Sequence, residues 1–297
     1  PRCHFGDLCE GLMDLEAIRA HLPWLVEPLR DLHARAQQAG LGVHLSPPGE
    51  VEDPAHLIDL LVSDLVRIAE GFRERGRTAD HEAAWRLVVR LRRSTAHADP
   101  LPYADGLGEL GASLAGQERW AEALRTAEER MSVLRPRVEP SLARYARAVR
   151  DYGTALAGLG RTAEAADAKR KALGCYRICL DLDPRYRPDA ALTCHELFDL
   201  LMRCGRAEEA LEVSDTALGL MRELAEEDPS FRARLAVTLT DRANALRSLE
   251  RDAEAVDFAV QAVAVWREQC AADPAWLPSL AMALRLAAEV LPAADRD

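Results

Sequence analysis

The sequence has few aromatic residues, almost no lysine and no long apolar run. Aromatic residues make up 5% of the 297 positions although 48% of positions are apolar, which favours many thin layers of alanine and leucine over one large core. No apolar stretch approaches the roughly 20 residues that a membrane-spanning helix needs, and no signal peptide is visible. The chain starts at Pro1 without a methionine, so we expect it to be a trimmed piece of a longer product.

The charge balance is strongly acidic. A net charge of -11 argues against a general nucleic-acid binder, because contact with phosphates requires a basic field. Only Lys169 and Lys171 are lysines, so 38 minus 2 leaves 36 arginines. Together with the many alanines, this bias is typical of a GC-rich bacterial genome, and we expect a bacterial source.

The cysteines do not form a disulfide pattern, because their number is odd and their spacing irregular. They are Cys3, Cys9, Cys175, Cys179, Cys194, Cys204 and Cys270. A reducing cytoplasm is therefore expected. Cys3, His4, Cys9 and His21 could suggest zinc, but the C-x5-C spacing is not that of a usual zinc knuckle. We interpret Cys175 and Cys179 as packing residues, and predict no metal ion and no cofactor.

Acidic-proline steps recur along the chain. Their prolines are spaced by 46, 40, 44, 45 and 45 residues. Proline cannot continue a helix and biases the preceding residue away from helical geometry, so each step is predicted to end one helix and begin the approach to the next. The steps are Asp53-Pro54, Asp99-Pro100, Glu139-Pro140, Asp183-Pro184, Asp228-Pro229 and Asp273-Pro274.

A second landmark lies between these steps. The segments ERWAEAL (118–124), GRTAEAA (160–166), GRAEEAL (205–211) and ERDAEAV (250–256) align without gaps, and GRTADHEAA (76–84) is a looser copy. Small residues extend this pattern at helical spacing, as in the row Ala165, Ala168, Ala172, Cys175 and Cys179. Such a row is one stripe of a helix that a neighbouring helix can approach closely.

These landmarks resemble the tetratricopeptide repeat (TPR) family, in its long-repeat, kinesin-light-chain-like bacterial subclass. The resemblance covers about 54–290, with units of 40 to 45 residues in place of the usual ~34. Several units depart from the motif, as where Phe198 and Ala243 replace its first glycine. The resemblance implies an all-α, right-handed solenoid of about five helix pairs. The predicted repeats are 54–99, 100–139, 140–183, 184–228 and 229–273, with 274–297 as a capping helix and tail.

Residues 1–53 do not match the repeat. Leu15, Ile18, Leu22, Leu25, Leu29 and Leu32 form a heptad-like row. Pro23 and Pro28 interrupt this row, so we predict two short helices with a break near Pro23. Gly40 to Asp53 is predicted to be a loop. This segment is interpreted as an N-terminal cap, with a docking helix or the tail of a neighbouring domain as alternatives.

No catalytic signature stands out. There is no P-loop, no GxSxG and no HExxH. His195 and Asp199 lie one helical turn apart and invite an acid–base interpretation. No nucleophile or oxyanion donor accompanies them, so a surface pair is favoured and the chain is predicted not to be an enzyme.

The resemblance places a peptide-binding groove along the first helix of each pair. Arginine suits carboxylate recognition there, because its planar fork donates two parallel hydrogen bonds. The alternative is that these arginines are paired with Asp151, Glu196 and Asp241 on a solvated face. The predicted groove residues are Arg147, Arg150, Thr154, His195, Asp199, Arg203, Thr240, Asn244 and Arg247, with Ile68 and Phe72 as its apolar end.

The function predicted from these features is a non-catalytic, regulatory scaffold. It would capture a protein or peptide partner, such as an acidic or C-terminal segment, without binding nucleic acid directly or a membrane. One alternative is a signal receptor for a small peptide or metabolite that switches a partner. Another is a support domain of a larger enzyme or regulator. Self-association through imperfectly capped ends is left open.

Overall fold

The computed structural model describes residue 18 and residues 22–41, 54–135 and 138–294. The chain divides into two compact units, residues 1–136 and 137–297. The predicted all-α fold of stacked helix pairs is confirmed. Among the described residues, no helix combines the length and the apolarity needed to cross a bilayer.

The described residues of the first unit form five α-helices. A 3-10 turn at Pro23–Leu25 leads into the first helix, so the chain breaks at the proline where a break was predicted. Pro28 lies in the first turn of that helix, where a backbone N–H has no intrahelical acceptor. The helices are α1 (Val26–Gln38), α2 (Pro54–Glu74), α3 (Thr78–Thr95), α4 (Leu101–Gly116) and α5 (Trp120–Leu134). From α2 onward each helix packs on the next, and α1 packs on α3.

Some predictions for the N-terminal segment fall outside the described residues. They concern Leu15 of the heptad-like row, the zinc candidates Cys3, His4, Cys9 and His21, and positions 42–53 of the predicted loop.

Seven α-helices lie within residues 138–294, the described part of the second unit. Each packs against its neighbour in the chain, and the last also contacts the helix two before it. They are α6 (Val138–Gly158), α7 (Thr162–Leu182), α8 (Arg187–Arg203), α9 (Ala207–Glu227), α10 (Arg232–Ser248), α11 (Asp252–Ala272) and α12 (Leu277–Ala294). The last helix buries Leu286 and Val290 and leaves Leu277 and Met282 exposed.

The acidic-proline steps have a local explanation. The carboxylates of Asp183, Asp228 and Asp273 each accept a hydrogen bond from the backbone N–H two residues later. Each carboxylate thereby caps a 3-10 turn that the following proline opens. Proline suits this position because its fixed φ is helical and it lacks an N–H that would need a partner. The step therefore ends one helix and directs the chain into the next.

The turn inside each helix pair explains the second landmark. Gly160 and Gly205 adopt positive φ angles of 76° and 70°, which glycine tolerates without steric cost. The arginine that follows pairs with an acidic residue three positions later, at the start of the second helix. The pairs are Arg77–Asp80, Arg119–Glu122, Arg161–Glu164, Arg206–Glu209 and Arg251–Glu254. The acidic residues complement the helix dipole, and the pairs that lie at the surface contribute modestly to stability; Asp80 is the buried exception.

The core between paired helices is built of small side chains. The shared alanines Ala165, Ala210 and Ala255 are fully buried. A Cβ added at Gly153 would lie 3.2 Å from the backbone oxygen of Ala165 and from the side chain of Lys169. Paired helices thus approach closely at this level, as the small-residue stripe predicts.

Glu82 of α3 connects three parts of the first unit. Its carboxylate accepts hydrogen bonds from Arg86 (2.7 Å), Gln117 (3.0 Å) and Arg119 (2.5 Å). Burial raises the pKa of Glu82, but these hydrogen bonds lower it overall. A depressed folded-state pKa adds stability above the unfolded-state pKa, and that stability is lost as the pH falls through the folded-state value.

Replacing Glu82 with glutamine is therefore expected to destabilise the chain at neutral pH, by about 1–3 kcal/mol. The difference from wild type should shrink once the pH falls below about 4.3, the ordinary glutamate pKa. Urea unfolding at several pH values measures it. Glu128→Gln, at an exposed site, is the control. A loss that is independent of pH would show that the charge of Glu82 is not what stabilises the site.

Candidate binding face

The predicted groove residues of the second unit lie on its first helices. We call the surface formed by α6, α8, α10 and α12 the first-helix face. The nine predicted residues from Arg147 to Arg247 all lie on three of these helices. Titratable side chains connect each neighbouring pair of first helices. Some of the predicted arginines are therefore paired within the protein and others are not.

Arg150 bridges α6 and α8. Its Nη1 donates a hydrogen bond of 2.9 Å to Asp189, and its Nε lies 4.0 Å from Asp151. The residue is only 9% exposed. Burial lowers the pKa of the guanidinium, but the neighbouring Tyr176 and carboxylates raise it overall. Arg150 is thus buried and paired, although its closest partner, Asp189, is not among the carboxylates of the paired alternative and the site is not solvated.

Lys169 of α7 is a buried charge that is not among the predicted groove residues. It is 2% exposed, and its Nζ donates hydrogen bonds of 2.6 Å to Thr154 and 2.6 Å to Glu196. Burial lowers the pKa of this amine although Glu196 opposes the effect. The ammonium therefore uses the Thr154 hydroxyl and the Glu196 carboxylate as hydrogen-bond acceptors. The feature of the sequence that could have indicated this residue is a lysine directly after Ala168 of the alanine stripe.

His195 and Asp199 of α8 meet Asp241 of α10. Nδ1 of His195 lies 3.2 Å from Oδ2 of Asp241, and its Nε2 lies 3.9 Å from Oδ2 of Asp199. The Asp241 carboxylate raises the pKa of His195 most, and burial opposes this rise. Burial also raises the pKa of Asp199. The four-residue spacing in the sequence predicts the pair of His195 and Asp199, but no pattern in the sequence predicts that Asp241 lies beside them.

Arg247 of α10 pairs with Glu289 of α12. Thr240 is also internally engaged, because its hydroxyl donates a 2.8 Å hydrogen bond to the backbone oxygen of Ala236. Each of these residues thus has one polar group engaged within the protein.

Arg147 and Arg203 remain available for a ligand. Both are exposed, and within the described part of the chain neither makes an ion pair. Asn244 of α10 is half-buried, with no hydrogen bond from its side-chain amide to a described residue. Among the described residues, these three predicted groove residues thus make no ion pair and no side-chain hydrogen bond.

The predicted apolar end of the groove lies in the core of the first unit. Ile68 is 1% exposed and Phe72 is 0% exposed. Both project from α2 into its packing interface, so neither presents a surface to a ligand. The periodicity could not separate the two faces of α2, because that helix carries apolar residues around much of its circumference.

Comparison with solved structures identifies the fold. No protein-family model and no characterised sequence matches the chain. The structure of BtubC (BKLC) from P. vanneervenii superposes with a TM-score of 0.63 at 13% identity, over 85% of this chain and 92% of that one. A putative Podospora anserina kinesin light chain of TPR-like repeats gives 0.57 at 18% identity, over 75% and 99%.

The chain has the tetratricopeptide-repeat fold. A Rap protein complexed with Competence and Sporulation Factor is a third TPR-like relative in structure, with a TM-score of 0.51 at 14% identity over 92% of this chain and 72% of that one. At these identities the likeness shows the fold alone. What a TPR array binds depends on the side chains of its surface, not on the repeat framework.

Proposed function

We propose that the chain is a non-catalytic TPR scaffold with a regulatory role, which captures an acidic or C-terminal segment of a protein partner on its first-helix face. The observation that carries this proposal is the contrast within the face. Arg150 and Arg247 are held by carboxylates, whereas Arg147 and Arg203 are exposed and free of ion pairs among the described residues.

The paired charges support binding by fixing the surface around the free arginines. Arg150 and Lys169 are buried and hydrogen-bonded, so α6, α7 and α8 are held in one arrangement before a ligand arrives. A preorganised face loses less conformational entropy on binding. Arg147 and Arg203 can then each donate two hydrogen bonds to a carboxylate, and the amide of Asn244 can bond to a peptide backbone.

The test compares two charge-reversal variants of the whole chain. Arg147→Glu with Arg203→Glu alters the free arginines, and Arg222→Glu with Arg267→Glu makes the same charge change at exposed sites on the second helices α9 and α11. The probes are acidic peptides from a random library, each made with a free or an amidated C-terminus. Partners captured from the native lysate identify natural ligands.

We expect the first variant to weaken binding by about tenfold or more per arginine, since a hydrogen bond to a charged group contributes about 1.5–3 kcal/mol. The control variant should bind as wild type does. Equal loss of binding in both variants would show that the effect comes from the change in net charge and not from the position of the arginines. Unchanged binding in the first variant would move the interface off this face.

A second candidate is a receptor for a small signalling peptide. Its support is the structure of the Rap protein, which is complexed with Competence and Sporulation Factor and aligns with 92% of this chain. A receptor would show a ligand-dependent rise in thermal stability and an altered affinity for a second protein. A pure scaffold would show the rise alone.

A further inference from the structure

Three potential ligand groups converge between α8 and α10. His195 and Asp199 are one helical turn apart on α8, and Asp241 faces them from α10. One ligand atom from each residue lies within 4.8 Å of the other two. The set combines one imidazole with two carboxylates, so it offers both nitrogen and oxygen donors.

The spacing fits ligands that share one ion. With bonds of about 2.0–2.2 Å, two ligands of the same metal lie about 2.9–4.2 Å apart. The 3.2 Å between His195 Nδ1 and Asp241 Oδ2 falls inside that range. Asp199 is exposed on the same face, and one of its carboxylate oxygens lies within 4.8 Å of the ligand atoms of His195 and Asp241.

The buried oxygen of Asp241 lies at the centre of the cluster. Oδ2 of Asp241 makes no hydrogen bond of full geometry with a described residue, and its nearest partner is Nδ1 of His195 at 3.2 Å. A buried, unsatisfied carboxylate oxygen is costly, and each such atom in a folded protein calls for an explanation. A bound ion would satisfy it at the point where the other two ligands converge.

The surrounding charges also favour a cation. Glu196 lies beside His195 in the chain and acts on it electrostatically, although its own carboxylate is hydrogen-bonded to Lys169. Arg203 is the nearby positive group on α8, one turn beyond Asp199. A divalent ion held by the two carboxylates and a deprotonated ring nitrogen would balance the charge of the carboxylates.

We propose that His195, Asp199 and Asp241 form a binding site for a divalent first-row transition-metal ion such as zinc. Mixed nitrogen and carboxylate ligands suit this class of ion. Three protein ligands leave at least one coordination position open to solvent. The ion would join α8 to α10 and present that open position on the first-helix face. This proposal does not depend on the scaffold function, because its test requires no protein partner.

The test titrates the whole, chelator-treated chain with cobalt(II) and records the absorption spectrum. The chain has seven cysteines, and cobalt bound to thiolates absorbs strongly in the near ultraviolet. Cobalt bound only by nitrogen and oxygen shows weak visible bands alone. We expect one nitrogen–oxygen site per chain, together with a rise in thermal stability when zinc is added.

Four variants locate the site. Asp241→Asn, His195→Gln and Asp199→Asn should each weaken it by on the order of 10- to 100-fold or more, because even outer-shell changes cost that much. Asp151→Asn, which makes the same change at the position equivalent to Asp241 two repeats earlier, should bind as wild type does. Asp199 is exposed, so its variant will fold whatever the others do. Absence of such a site from wild type, or equal cobalt affinity in wild type and Asp199→Asn, overturns the proposal.

Discussion

Replacing Phe72 with alanine is expected to lower the free energy of unfolding by about 3–5 kcal/mol. Phe72 lies on α2 and is fully buried, as are its neighbours Ile68 and Ala69. Removing the ring takes away its transfer free energy and leaves a cavity that the packed helices can only partly fill. The loss should fall on the first unit, and binding to the first-helix face of the second unit should be unchanged in the folded fraction.

Urea unfolding followed by circular dichroism measures the total loss, and hydrogen exchange of α2 amides locates it. Arg73→Ala is the matched control, because Arg73 is the next residue of the same helix but is exposed and, among the described residues, pairs with Glu70. An exposed pair of this kind contributes about 1 kcal/mol or less. If the two variants lose similar stability, Phe72 is not a core residue.

Replacing Glu196 with glutamine is expected to destabilise the second unit by about 2–4 kcal/mol, because it leaves the buried ammonium of Lys169 without a counter-charge. The figure is set below the upper end for buried pairs, since the Glu196 side chain is 30% exposed and water can partly screen the loss. Lys169 keeps its hydrogen bond to Thr154. That bond satisfies one of the three N–H donors of the ammonium but does not neutralise its positive charge.

A double-mutant cycle separates the pair from its surroundings. Lys169→Met should cost little, because methionine fills a similar volume and Glu196 can turn to solvent. The double variant Lys169→Met with Glu196→Gln should then be more stable than Glu196→Gln alone. Thermal and urea unfolding of the four proteins give the coupling. Additive effects, with no rescue by methionine, would mean that the charge of Lys169 is not what makes Glu196 important.

The fold could be predicted because its signals are local. Asp183 and Pro184 act within one turn, where the carboxylate caps the 3-10 turn that the proline opens. Gly160 and Gly205 set the sharp turn inside a pair through their own φ angles. Because side chains such as that of Ala165 are short, the stripe is buried only when two helices pack closely together. Each of these effects depends on residues near in sequence, and regular repetition made them visible.

The candidate site could be predicted only in part. Counting along the repeat assigned Arg147, His195 and Arg203 to the first helices, and the structure places them there. It did not show that Arg150 would be held by Asp189, 39 residues away. Nor did it bring Asp241 to His195. Partners of this kind lie on the next repeat, at distances along the chain that vary with the length of each unit.

The sequence by itself determined the class of fold, the turns that end each helix and the stripes of small residues by which helices pair, because these follow from backbone geometry and side-chain size within one repeat. Only the tertiary structure decided which charged side chains are paired within the protein and which are exposed to solvent. That division depends on helix-to-helix distances of a few ångströms, at which an arginine such as Arg150 becomes a buried structural contact while Arg147, one turn away, stays in water.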